Sequence, residues 1–278
     1  MVKSLRVAAA SVDVLLGDVR ENLSRAAAAL RMCVQSGAQL IVLPELATSG
    51  YMFTGAAEAA SAALFGDDPR LAELAHLLPN GVVGVVGYCE ATADGALHNS
   101  ALVLSAGRIL GNYRKSHLWG DENLIFAPGQ EAGRVVDTPI GRLGLAICYD
   151  NEFPEVPRGL ALAGADICAL PVNWPAVPRP AGERPPETIM AMAAARASRL
   201  PFVIADRSGQ ERGVTWTGGT AIIDGDGWVA AESPTGTVIA DVSLRPGDKA
   251  IGQRNDLFAD RRPDIYRPPT LPATKEKR

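Results

Sequence analysis

A chain of 278 residues with 47% apolar side chains can bury one sizeable core, and no composition break or Ser/Gly-rich linker divides it. Its net charge of −4 comes from interspersed signs with no basic stripe, which argues against nucleic acid as a partner. No apolar run approaches the ~20 residues of a membrane span. The N-terminal "MVKSLRVAAASVDVLL" imitates a secretion signal, but Asp13 interrupts the apolar run, so Leu5 to Ala10 reads as a first buried strand. After Gly17, apolar residues Val19, Leu23, Ala26, Leu30 and Cys33 share one helical face. Asp18 and Glu21 form a capping-box pattern, and Gly37 is placed to end that helix. "LIVL" (Leu40 to Leu43) is a short strand stopping at Pro44, and an Ala-rich helical stretch is expected from about Ala56 to Leu77. Strands follow at "GVVGVVGYCE" and "HNSALVLS". Gly81, Gly84 and Gly87 do not make a G-x-G-x-x-G loop, and no helix follows them, so a nucleotide loop is not indicated.

The second half repeats the plan. A strand at "GRLGLAIC" precedes a helix over about Val156 to Ala163, a strand "ICALPV" and a helix "PETIMAMAAARAS". Strands "PFVIAD", "GTAIID" and "TVIADVSL" close the series. Strands alternating with helices, together with adjacent strands lacking them, predict an α/β sandwich with sheets inside and helices outside. Residues 1–262 are read as a single domain and 263–278, rich in Pro and charge, as an extended arm whose final eight residues are expected to be disordered.

The four cysteines (Cys33, Cys89, Cys148, Cys168) are widely spaced and the three histidines (His76, His98, His117) supply no cluster, so neither a zinc site nor any other metal or cofactor is expected. A reduced, cytoplasmic setting fits that cysteine usage.

Three reactive side chains stand just past apolar runs: Glu45 after "LIVLP", Lys115 in "GNYRKSHLWG" and Cys148 after "LGLAI". Strand ends are where α/β folds bind ligands, so the three are candidates to converge. A thiolate attacks, a carboxylate in an apolar pocket moves a proton, and an ammonium stabilises an oxyanion. The chain after Cys148 reads as a helix start, whose positive end favours a thiolate. An unpaired Cys is ordinarily a small buried hydrophobe, a loop Glu solvated and a Lys on the surface; the joint pattern outweighs these separate readings.

These stretches, "LIVLPELATSGY", "YRKSHLWGDENLIFAPG" and "GRLGLAICYDNEFPEVPR", resemble the nitrilase or carbon–nitrogen hydrolase superfamily and its Glu-Lys-Cys triad. Weaker echoes run through "LPVNWP", "AARAS", "DRSGQERG", "TGGTAIIDGDGW" and "RRPDIYRP", covering almost the whole chain. The resemblance implies a four-layer αββα sandwich of nitrilase type that assembles into homodimers or larger homo-oligomers. It makes Glu45 the general base and acid, Lys115 the oxyanion stabiliser and Cys148 the nucleophile. Glu122 matches a second glutamate that positions Lys115 or substrate, and the backbone N–H of Tyr149 would complete the oxyanion hole. Tyr51, Trp119, Tyr149, Asn173 and Trp174 are candidates to line the pocket, with ordinary core packing as the competing reading.

Ser198–Arg199 stands where family members often carry Glu-Asn, and Asp206-Arg207-Ser208-Gly209 where they carry Asn-Arg-x-Gly. Pro157 is also unusual, and its missing N–H sets the regular helix to start near Val156. His117, two residues from Lys115, raises a papain-like Cys-His alternative, and a silent scaffold of the same fold is the non-enzymatic one. Because no triad residue is lost, the expectation is an enzyme that cleaves a small linear carboxamide to acid and ammonia, with an N-carbamoyl hydrolase or a nitrilase as alternatives. "CYDNEFPE" differs from the Cys-Trp-Glu form of nitrile-cleaving members, and no arginine cluster announces an anionic substrate, so neutral aliphatic or aryl amides are expected.

Overall fold

The computed structural model describes residues 3–266. The first half runs β1 (Lys3–Ala9), α1 (Val19–Gln35), β2 (Leu40–Val42), α2 (Ala56–Ser61), β3 (Leu64–Phe65), α3 (Pro69–His76), β4 (Val83–Ala91), β5 (Leu97–Ser105) and β6 (Arg108–Arg114). The second runs β7 (Arg134–Thr138), β8 (Gly141–Leu145), α4 (Glu155–Leu162), β9 (Ile167–Pro171), α5 (Pro186–Ser198) and β10 (Phe202–Ala205). It ends with the small hairpin β11 (Gln210–Glu211) and β12 (Val214–Thr215), then β13 (Thr220–Ile223), β14 (Val229–Ser233) and β15 (Val238–Leu244).

Two sheets carry these strands, one ordered β15-β1-β2-β4-β5-β6 with β3 beside β4, the other β14-β13-β10-β9-β8-β7. In each, three parallel strands (β1-β2-β4 and β8-β9-β10) are followed by two antiparallel ones, and an antiparallel strand flanks the first (β15 and β7). The halves are thus the same unit twice, and β15 closes the chain by returning to the first sheet.

Alternation along the strands builds the layers. On β2, Leu40 and Val42 face the other sheet, while Ile41 and the following Leu43 pack under α1 and α3. β5 divides the same way, with Ala101 and Val103 inward and Leu102 and Leu104 toward the helices. Beyond the second sheet, Val156 and Leu160 of α4 and Ala191 and Ala195 of α5 form the fourth layer, completing an αββα sandwich.

Local signals explain most boundaries. The Asp18 carboxylate accepts the Glu21 N–H at 3.1 Å, while the Glu21 side chain turns to Arg25, so the cap is one-sided. Gly37 takes φ +81° just past the helix end. The expected Ala56–Leu77 helix is instead split: Asp68 caps a new helix with Pro69 in its first turn, and β3 pairs with β4 in between. Pro157 lies in the first turn of α4, where its missing N–H has no partner to lose. The segments β6, β7 and β14 also form strands that the apolar patterning did not mark. Of the arm, residues 263–266 form an exposed turn, and its final eight residues lie outside the described ones.

Candidate active site

The candidate residues come from the ends of neighbouring strands in both halves. Glu45 follows β2, Lys115 follows β6, Cys148 follows β8 and Asn173 follows β9. Two of these turns depart from ordinary backbone: Leu46, after Glu45, and Cys148 itself both have φ +49°, a left-handed conformation that non-glycine residues rarely adopt. Such strain persists only when the surroundings over-determine it, and it clusters at functional sites. Around Cys148 the determinant is Asp150, fully buried, which accepts the Ile147 N–H (2.9 Å), the Tyr113 hydroxyl (2.8 Å) and the His117 N–H (3.1 Å).

Lys115 is fully buried between two carboxylates, its Nζ 2.7 Å from Oε1 of Glu45 and 2.8 Å from Oε1 of Glu122. Asn99 donates through Nδ2 to the same two oxygens, at 2.7 and 3.2 Å. The Trp119 N–H fixes the other oxygen of Glu122 at 2.8 Å, and Asn173 donates to the Glu45 carbonyl at 2.8 Å. Of the four carboxylate oxygens in this network only Oε2 of Glu45 is buried without a partner; Oδ1 of Asn99 and Oδ1 of Asn173 are unpartnered as well.

The electrostatics follow from burial and from these pairs. Burial drives the Glu45 carboxyl up, the Lys115 ammonium draws it partly back and the Glu122 charge adds to the rise, leaving it at about 7. Burial would depress Lys115, but the charges of Glu122 and Glu45 hold it well above its ordinary range. Burial, then the Glu45 charge, pushes the Cys148 thiol far up against the opposing pull of Lys115. The resting thiol is therefore protonated. The expected helix dipole does not offset this, because residues Cys148–Glu152 form only a short 3-10 turn and α4 starts later.

A cleft with two lobes opens beside these groups, divided by Trp119 and Pro175, which line both. The lobe of about 220 Å³ reaches Cys148, Tyr149, Asn173 and Trp174; the lobe of about 260 Å³ is lined by Tyr51, Glu122 and Trp216. Trp119 is half-exposed and packs edge-on against Tyr149 with ring centres 4.9 Å apart. His117 holds Asp150 through Nδ1 (2.8 Å) and stacks on Phe153, an imidazole engaged in supporting the Cys148 turn.

Two contributors, Asn99 and Glu211, escaped the reading of the sequence, and a third, Asp206, was marked there only as a departure from the family's Asn-Arg-x-Gly segment. Asn99 sits inside a strand, marked only by being polar in an apolar stretch. Asp206 follows β10 as Glu45 follows β2, and accepts the backbone N–H groups of Trp174, Arg207 and Gly219 at 3.1, 2.8 and 2.7 Å. Burial raises its carboxyl to about 7 despite those donors. Glu211, paired with buried Arg207 at 2.8 Å, accepts the N–H groups of Tyr51 and Met52 and so clamps the segment after Glu45.

Two stacked sheets with a buried thiol beside a carboxylate–ammonium–carboxylate chain are the fold and candidate site of an αββα-type hydrolase. The chain belongs to the carbon–nitrogen hydrolase family, whose model matches residues 6–247. It is 34% identical over 266 residues to a nitrilase of Pyrococcus abyssi, covering 88% of this chain and 93% of that protein. It is 30% identical over 272 residues to an N-carbamoylputrescine amidase of Solanum lycopersicum, covering 90% of each. A solved amidase of the nitrilase superfamily from Nesterenkonia AN1 superposes with a TM-score of 0.72 at 25% identity, covering 86% of this chain and 90% of that one.

Proposed function

We propose that the protein hydrolyses a small carboxamide to the acid and ammonia through a thioester on Cys148. The observation that carries this reading is the division of labour on Glu45. Its Oε1 is held by Lys115 and Asn99, while Oε2 is buried without a partner on a carboxyl that titrates near neutrality. Such a group takes a proton and returns it at working pH.

As Sγ of Cys148 bonds to the amide carbon, the thiol proton passes to Glu45 and the carbonyl π pair moves onto oxygen. Lys115 and the Tyr149 N–H receive that oxyanion, with Glu122 and Asn99 keeping the ammonium in place. When the tetrahedral intermediate collapses, the C–N bond breaks and Glu45 returns its proton to the departing nitrogen, giving ammonia and the thioester. Water then attacks the thioester, losing a proton to Glu45, and the C–S bond breaks as the thiol is re-protonated. Glu45 ends in its starting form.

The likeness to an N-carbamoylputrescine amidase supports a second reading, in which the same steps act on an N-carbamoyl group. The test is kcat/KM for matched amide, N-carbamoyl and nitrile forms of one acyl group, with Cys148→Ala as control. The amide is expected to be preferred; a nitrile clearly preferred over its amide overturns the assignment.

A further inference from the structure

The lobe that reaches Cys148 carries two carboxylates and no cationic side chain in its lining. Glu152 ends the short turn that Cys148 begins, and Glu187 lies in the first turn of α5. Both are half-buried against an otherwise apolar surface that includes Trp119, Trp174 and Val177. Burial, then the charge of Glu187, raises the Glu152 carboxyl, and burial raises that of Glu187. Oε2 of Glu187 is buried without a partner. The backbone N–H of Glu187 and, after it, the Arg179 charge draw that carboxyl partly back without reversing the rise, and Arg179 lines a different cavity. Two like charges facing one small apolar space are mutually unfavourable until a cation joins them.

A second observation comes from the nucleophile's own surroundings. Asn173 is 1% exposed and lines the same lobe; its Nδ2 is committed to the Glu45 carbonyl, but Oδ1 has no partner. A buried acceptor left open beside the thiol suits an N–H of the bound substrate.

We propose that this lobe selects a short acyl chain ending in an alkylammonium, held by Glu152 and Glu187 while Asn173 Oδ1 accepts an N–H of the scissile group. The substrate class is then a small amide with a positive charge at its distal end, in place of the neutral amides expected from the lack of arginines. This rests on the hydrolase reading given above and adds the charge of the acyl group to it. A volume of about 220 Å³ limits the chain to a short one.

Two measurements on the intact protein test it. The first is kcat/KM for three amides of equal chain length ending in ammonium, hydroxyl or carboxylate. The ammonium form is expected to exceed the hydroxyl form by about tenfold or more, the worth of a charge-assisted contact, with the carboxylate form slowest. In Glu152→Gln and Glu187→Gln the ammonium-to-hydroxyl ratio should fall toward one. The second is saturable quenching of tryptophan fluorescence by n-butylammonium, expected for the wild type and lost in the double Gln variant. A wild-type ratio near one, or a ratio that neither substitution changes, overturns the subsite, as does failure of n-butylammonium to bind. If n-butylammonium binds through both glutamates but none of the amides is cleaved, the hydrolase reading falls and the cation subsite stands.

Discussion

Glu45 and Cys148 are buried together and burial shifts both the same way: it keeps the thiol protonated, and it raises the carboxyl to where it can receive that proton. The pH dependence follows from the sign of the Glu45 shift. Its folded value rises from an ordinary 4.5 to about 7, so the carboxylate form that accepts the thiol proton is lost as pH falls through about 7. We predict that kcat/KM is half-maximal near that pH and declines by about tenfold per unit below it, as for a single essential base. Rates measured across pH 5 to 9 check this. A profile that stays flat down to about 4.5, the ordinary glutamate value, contradicts the assignment of Glu45. Glu45→Gln, which keeps the shape but cannot accept the proton, should leave residual activity at every pH.

Among the elements, the contact between β4 and the turn after β2 decides where Glu45 points. A Cβ built on Gly87 would lie 2.4 Å from the Pro44 carbonyl oxygen and 2.7 Å from the Glu45 Cα, both backbone atoms with no freedom to swing aside. Gly87→Ala is therefore expected to destabilise the fold by about 1–3 kcal/mol, the usual cost of overpacking, and to lower kcat by displacing Glu45. Denaturant unfolding and steady-state kinetics measure the two effects, and an Ala variant with full activity contradicts this placement. The same scale shows what the sequence made legible. The inner strands were readable because sheets covered on both faces produce short continuous apolar runs, and Glu45 and Cys148 were readable because each follows such a run; Lys115, after the half-exposed β6, was legible only through the family-like stretch "YRKSHLWG". The break between α2 and α3 was hidden by alanines that suit a helix on either side, and β3 exists only through its pairing with β4. Asn99 was not legible because its role depends on register, which places it next to Glu45 and Glu122. Glu187 reads as an ordinary carboxylate in a helix's first turn until α5 is seen against the Cys148 lobe.

Over the whole molecule, the duplicated sheet unit brings two equivalent strand ends face to face. One half supplies Glu45, Lys115, Asn99 and Glu122, the other Cys148 and Asn173, so the chemistry requires the sheets to dock. Among the described residues no group of three or more His, Cys, Asp or Glu is arranged to hold a metal ion, and a buried ammonium already faces the reacting centre. Prolonged dialysis against a chelator should leave the rate unchanged; loss of activity restored only by a divalent ion contradicts the mechanism. The central claim is that one of four unpaired, buried cysteines forms a covalent acyl intermediate. Rapid acid quench of the enzyme turning over an amide, followed by peptide mass mapping, tests it most directly. The account predicts an adduct equal to the amide minus ammonia on the peptide containing Cys148, absent from Cys148→Ala, which should also lack activity. An acyl adduct on Cys33, Cys89 or Cys168, or full activity in Cys148→Ala, would contradict it.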